Sequence, residues 1–149
     1  MRTEAKLRSA ARLTEIQRVQ RIGAEIALTA AKAAEEAARS EEAAARERSA
    51  SALGAWETHL GKQNFSPEIS GALSRHLIAC ERVADGALTE VHVAADVHAR
   101  RESAWQRAEA QVRSGEATCR KLAREARRRK EAAALNRTAD LTTYAWSIR

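Results

Sequence analysis

Gly61-Lys62-Gln63-Asn64-Phe65-Ser66-Pro67-Glu68 is the one clear break in this chain. Gly61 can end a helix in a left-handed conformation. Ser66 can cap free backbone N–H groups, Pro67 needs no N–H at a first helical position, and Glu68 suits the positive end of a helix. The stretch therefore reads as helix end, reversal and helix start. Gly54 is an earlier place where the first helix could stop.

On either side the chemistry is helical. Pro67 is the only proline among 149 residues, glycines number six, and alanine, arginine and glutamate dominate. Alanine and straight-chain residues lose little freedom in a helix. Few side chains have the bulk to fill a thick core, so a narrow seam is expected and a β-fold is not. Upstream, Glu4–Arg8, Glu35–Arg39 and Glu42–Arg46 place the acid four residues before the base, the favourable order on a helix. Downstream, Glu109–Arg113 and Glu116–Arg120 repeat it. The expected organisation is one all-α domain with helix 1 over about 3–60, a turn over 61–66, a longer helix 2 over 67–140, and a tail over 141–149.

The second helix carries a seven-residue stripe through Leu73, Leu77, Cys80, Ala84, Ala87, Val91, Ala94, His98, Arg101, Trp105, Ala108, Val112, Gly115, Cys119, Leu122, Ala126, Arg129 and Ala133. Apolar residues fill most of these positions, the mark of a coiled-coil seam. The first helix offers Ile16, Val19, Gly23, Ile26, Ala30, Ala33, Ala37, Ser40 and Ala44. Folding about Asn64 sets Ile16 against Val112, Gly23 against Trp105 and Ala30 against His98, an antiparallel coiled-coil hairpin in which large residues meet small ones. His98 and Arg101 are polar interruptions of the kind that set register, and the Arg101 charge can reach water.

Charge is unevenly placed. Residues 1–21 hold six Lys/Arg and two Glu, residues 22–119 eleven and fifteen Asp/Glu, and residues 120–149 nine and three. A hairpin brings the two basic termini to one end. With Asn64 as pivot, residues past about Arg124 outrun the first helix. The basic run Arg120, Lys121, Arg124, Arg127, Arg128, Arg129 and Lys130 then straddles the point where the pair becomes a single helix, beside Arg8 and Arg12. Three readings fit this run: a solvated face, a nucleic-acid contact, or a docking surface for an acidic protein. Arg127, Arg128 and Arg129 point to three faces of a helix, which suits an enclosing partner. No aromatic interleaves with the run, so base stacking is not indicated. Tyr144, Trp146 and Ile148 add apolar anchors at the C-terminus. Leu53, Trp56 and Leu60 form a second apolar group before the turn; packing on Phe65, Ile69 and Leu73 or a partner-binding tip would each explain it.

No stretch of about 18 apolar residues is present, so no membrane span is expected, and the N-terminus lacks a secretory apolar stretch. Cys80 and Cys119 read as reduced thiols of a cytoplasmic protein. His76 with Cys80, and His92 with Asp96 and His98, fall short of the roughly four spaced ligands of a zinc site. Neither a phosphate loop nor a nucleophile motif occurs. No cofactor, small-molecule substrate or catalysis is expected.

Trp105 to Arg129, with Cys119-Arg120-Lys121-Leu122-Ala123-Arg124-Glu125, is similar to the charged C-terminal helix of the stalk proteins of type III secretion and flagellar export, the FliJ/YscO family. Thr138-Ala139-Asp140-Leu141-Thr142-Thr143-Tyr144-Ala145 sits where that family has a short acidic-aromatic ending, but lacks its second acid. The resemblance covers the whole length through size, uneven helices and a mid-chain turn, and carries no strict signature. It implies a cytoplasmic stalk beside a membrane-embedded export apparatus. Its paired termini would enter the export ATPase ring, with further contacts to the export gate and escort chaperones. The family's gate-contacting stretch corresponds here to Leu73, Leu77, Cys80 and Ala84, which also lie on the seam.

Overall fold

The computed structural model describes residues 2–147, without the side chains of Arg2, Ala145 and Ser147. It consists of two helices, α1 (Arg2–Leu60) and α2 (Pro67–Ser147), with no strand among the described residues. They pack against each other as an all-α hairpin whose second helix is the longer. α2 runs on through Ser147, so the expected tail from 141 is helical as far as it is described; Ile148 lies outside the described residues. Thr138, Thr142 and Thr143 turn their hydroxyls back onto carbonyls three or four residues earlier, which removes their competition with the helical backbone.

The chain divides into two compact units. One comprises Glu25–Ala104, the other Met1–Ala24 with Trp105–Arg149.

The unit over Glu25–Ala104 contains the turn. Ser66 caps α2 by accepting the Ile69 N–H at Oγ, 3.4 Å away, with Pro67 as the first helical residue. Gly61 does not use its left-handed freedom: no described residue has a positive φ. α1 instead closes with the Gly61 N–H on the Glu57 carbonyl at 3.1 Å and the Lys62 N–H on the His59 carbonyl at 3.2 Å. The residue that ties the turn together is His59. It is buried, its Nε2 lies 3.1 Å from the Ser66 carbonyl oxygen, and its ring tilts against Phe65 at 5.7 Å. Trp56 donates Nε1–H to Ser70 Oγ at 3.4 Å. Leu53, Leu60, Phe65 and Ile69 remain largely exposed, so the apolar group before the turn is only partly packed.

Further along this unit, buried Ala31, Ala45, Ala52 and Leu77 form a thin seam. Into it the fold places a charge. Glu35, with its side chain only 10% exposed, accepts from Arg39 at 2.5 Å and sits 2.6 Å from His98 Nδ1 across the seam. His98 thus faces Glu35 across the seam, while Arg101 is exposed.

In the unit of Met1–Ala24 with Trp105–Arg149, Val112 is buried. Thr14 is also buried and gives its only hydroxyl proton to the Ala10 carbonyl at 2.9 Å. The Cys119 thiol, 3.5 Å away, must therefore be the donor toward Thr14 Oγ1. Gly115 makes room for the Gln17 and Thr14 side chains. A Cβ there would fall 2.5 Å from Gln17 Oε1 and 2.7 Å from Thr14 Oγ1, so only glycine fits without displacement.

These contacts correct the expected register. The α2 stripe from Leu73 to Ala126 is the inward face, apart from Arg101, whereas Arg129 and Ala133 near its end are exposed. The α1 stripe is not: Ile16, Val19 and Ile26 are 56%, 69% and 66% exposed, and Gly23 opens onto free space and not onto Trp105. The inward face of α1 is two positions earlier in phase, through Thr3, Leu7, Ala10, Thr14, Gln17, Arg21 and Ala24 in one unit and Leu28, Ala31, Glu35, Ala38, Glu42 and Ala45 in the other. A fold about Asn64 would also set Thr14 against Ser114 and Glu35 against Val93; they meet Cys119 and His98. Side chains on a helix lean toward its N-terminus. In an antiparallel pair, the α2 residue that meets a given α1 residue therefore lies farther along α2 than a count from the turn suggests.

Candidate functional site

The basic open end is built from the first turns of α1 and the stretch of α2 from Cys119 onward. Among the described residues the outermost ties between the helices are Thr3 with Arg129, whose Nη1 donates to the threonine hydroxyl, and Glu4 with Lys130, 3.0 Å apart. Pairing thus reaches past the expected limit of about Arg124. Arg8 and Arg12, both exposed, lie on α1 between Thr3 and Thr14, alongside the α2 stretch bracketed by Arg129 and Cys119.

The candidate residues have different surroundings. Arg120 has an acid nearby, Glu116, at 3.9 Å. Arg129 and Lys130 are occupied by Thr3 and Glu4. Lys121, Arg124, Arg127 and Arg128 are exposed. Successive residues turn by about 100° on a helix, so Arg127 and Arg128 diverge from Arg129 and from each other. Tyr144 and Trp146 are not brought to this cluster. They stand 67% and 84% exposed on α2, about 20 Å beyond Lys130 at the helical rise of 1.5 Å per residue. From Glu131 to Tyr144, and at Trp146, every described side chain is exposed.

A second set of charges fixes this end and was not visible in the sequence pattern, because no spacing rule links residues a hundred positions apart. Arg18 bridges Glu15 at 2.6 Å and Glu116 at 2.8 Å, and Arg21 reaches Glu109 at 3.5 Å. The hydrogen bond from Arg18, aided by the charges of Arg18 and Arg120, holds the Glu116 carboxyl below its ordinary value. The hydrogen bond and charge of Lys130, with Arg8 nearby, do the same for Glu4.

Both carboxylates have a lower pKa folded than unfolded. The stability they add is therefore present above the ordinary value of 4.5 and is lost as pH falls through the folded values. Both are exposed and screened by salt, so the effect is local. Carboxyl titration by NMR should find both groups ionising below 4.5, and Lys130→Ala should return Glu4, but not Glu116, toward the ordinary range.

Elsewhere, His76 Nε2 lies 3.7 Å from Cys80 Sγ, beside an open groove lined by Ala52 and Ala55. Among the described residues no three His, Cys, Asp or Glu are grouped to hold a metal, and no helix is long and apolar enough to cross a membrane. No family model matches the chain, and neither does any curated protein or solved structure.

Proposed function

We propose that this protein is a non-enzymatic helical stalk or adaptor that docks on a protein partner through its basic open end. The observation that carries the reading is that, among the described residues, α2 continues beyond its outermost ties to α1, at Arg129 and Lys130. A single helix of this length is marginal in water unless its apolar residues find a partner. Leu135, Leu141 and Trp146 are 70–84% exposed on it, directly after a cluster of exposed arginines and lysines. That combination suits an acidic protein surface with apolar recesses, entered or enclosed from several sides.

The likeness to FliJ/YscO stalks suggests which partner: the ring-forming ATPase of a flagellar or type III export apparatus, with the export gate and escort chaperones as further contacts. The setting would be cytoplasmic, at the base of that apparatus. A titration of the full chain against the export ATPase encoded in the same genome tests this. Saturable binding supports it. Absence of binding to that ATPase, together with steeply salt-dependent retention on duplex DNA, would replace it with a nucleic-acid-binding function.

A further inference from the structure

Within the unit over Glu25–Ala104, both helices border one open groove of about 740 Å³. α1 brings Glu41, Glu47 and Arg48 to it, and α2 brings His76 and Cys80. The groove stays open because Ala44, Ala52 and Ala55 also line it, and their side chains are too short to fill it. His76 and Cys80 are four residues apart on α2, so they share a face, and His76 Nε2 lies 3.7 Å from Cys80 Sγ. Cys80 is half-buried. A second hollow of about 150 Å³ is bordered by the same Arg48, His76 and Cys80, so the thiol can be approached from more than one side.

These neighbours give Cys80 what an isolated thiol lacks. The thiolate is the form that attacks sulfur, and an unassisted thiol is only a few per cent thiolate at neutral pH. His76 Nε2 stands where it can take the Cys80 proton. Arg48 is anchored at the groove by its Nε–H, which donates to the Ala44 carbonyl at 3.3 Å; its terminal nitrogens suit a carboxylate. Glu41 and Glu47 suit an ammonium group. A small molecule that carries both charges therefore matches the groove better than an ion of one sign. Cys119 is the contrast within the same chain: its thiol donates toward Thr14, and the groove beside it contains no histidine.

We propose that Cys80 is a site of mixed-disulfide formation with small zwitterionic disulfides, the class of cystine and glutathione disulfide. His76 takes the Cys80 proton, the Cys80 sulfur attacks one sulfur of the incoming disulfide, and the old S–S bond breaks. The departing thiolate takes the proton back from His76. One disulfide is consumed and one is formed, so the exchange needs no further oxidant.

The reaction of the full chain with cystine near pH 7, followed at each cysteine by peptide mass spectrometry, tests this. Folded Cys80 should react on the order of 10-fold faster than Cys80 of the chain unfolded in urea, the gain open to a thiol that is mostly un-ionised when unassisted. Cys119 should show no such gain. His76→Gln should remove the advantage of Cys80, and the deficit should close in alkaline solution, where a thiol ionises without a base. Arg48→Gln should slow cystine and dithiodipropionate, which carry carboxylates, and leave cystamine, which carries ammonium groups alone, unslowed. Circular dichroism checks that each variant keeps its helicity. Folded Cys80 that reacts no faster than unfolded Cys80 overturns the proposal. So does a His76→Gln chain that keeps the wild-type rate, or an Arg48→Gln chain that slows all three probes alike or none of them.

Discussion

Reversing Lys121, Arg124, Arg127 and Arg128 to glutamate is expected to abolish the proposed docking on an export ATPase while the hairpin remains folded. Among the described residues none of the four makes a tie to α1 comparable to those of Arg129 and Lys130, so their loss takes little from the fold. Each reversal replaces an attraction with a repulsion at the partner surface, and like-charge juxtaposition at an interface costs several kcal/mol. The affinity should fall by on the order of 1,000-fold or more, with helicity unchanged. Reversing Arg129 and Lys130 is a different experiment: it would break the Thr3 and Glu4 ties and fray the end of the pair. Undiminished binding of the four-residue variant would remove the open end from the docking surface.

Val112→Asp should have the largest effect on stability in the unit of Met1–Ala24 with Trp105–Arg149. Val112 is its buried apolar residue of greatest bulk. Exchanging it for aspartate forfeits about 1.5–3 kcal/mol of apolar burial and desolvates a carboxylate at a buried position. A loss of about 3–4 kcal/mol should separate these segments of α1 and α2 and appear in chemical denaturation as a lower midpoint. Val112→Ile, larger by one methylene, should stay within about 1–3 kcal/mol of the wild type. An aspartate variant as stable as the wild type would show that the seam does not pass through Val112.

How far the fold could be read from the sequence depended on the helix. For α2 the stripe was legible because Leu73, Leu77, Val91, Val112 and Leu122 are large, apolar and regularly spaced. The turn was legible because Ser66, Pro67 and Glu68 each have a single strong local preference. For α1 the same rule chose the wrong face. Its inward positions include two threonines, a glutamine, an arginine and two glutamates; among the described residues Gln17 Oε1 is buried there without a hydrogen-bond partner, while others find partners. Thr14 uses its own backbone and Cys119, and Glu35 uses Arg39 and His98. Hydrophobic patterning cannot see such partners, since they arise only when the helices meet. The more apolar stripe of Ile16, Val19 and Ile26 was left outside. His59 was missed for a related reason: its value lies in reaching Ser66 and Phe65 across the turn, and a lone histidine at the end of an alanine-rich helix carries no local signal. The basic cluster was legible as composition; its division into residues tied to α1 and residues open to solvent was not.

The claim beneath all of this is that α1 and α2 of one molecule lie side by side in opposite directions, with Thr14 against Cys119. The 3.5 Å between Thr14 Oγ1 and Cys119 Sγ makes a direct measurement available. With Cys80→Ser to remove the other thiol, Thr14→Cys should form a disulfide with Cys119 under mild oxidation at low protein concentration. The product should run as a cross-linked monomer and yield one disulfide-joined peptide pair by mass spectrometry. Cross-linking found only between molecules, or two thiols that stay free under conditions that oxidise exposed cysteines, would contradict the hairpin.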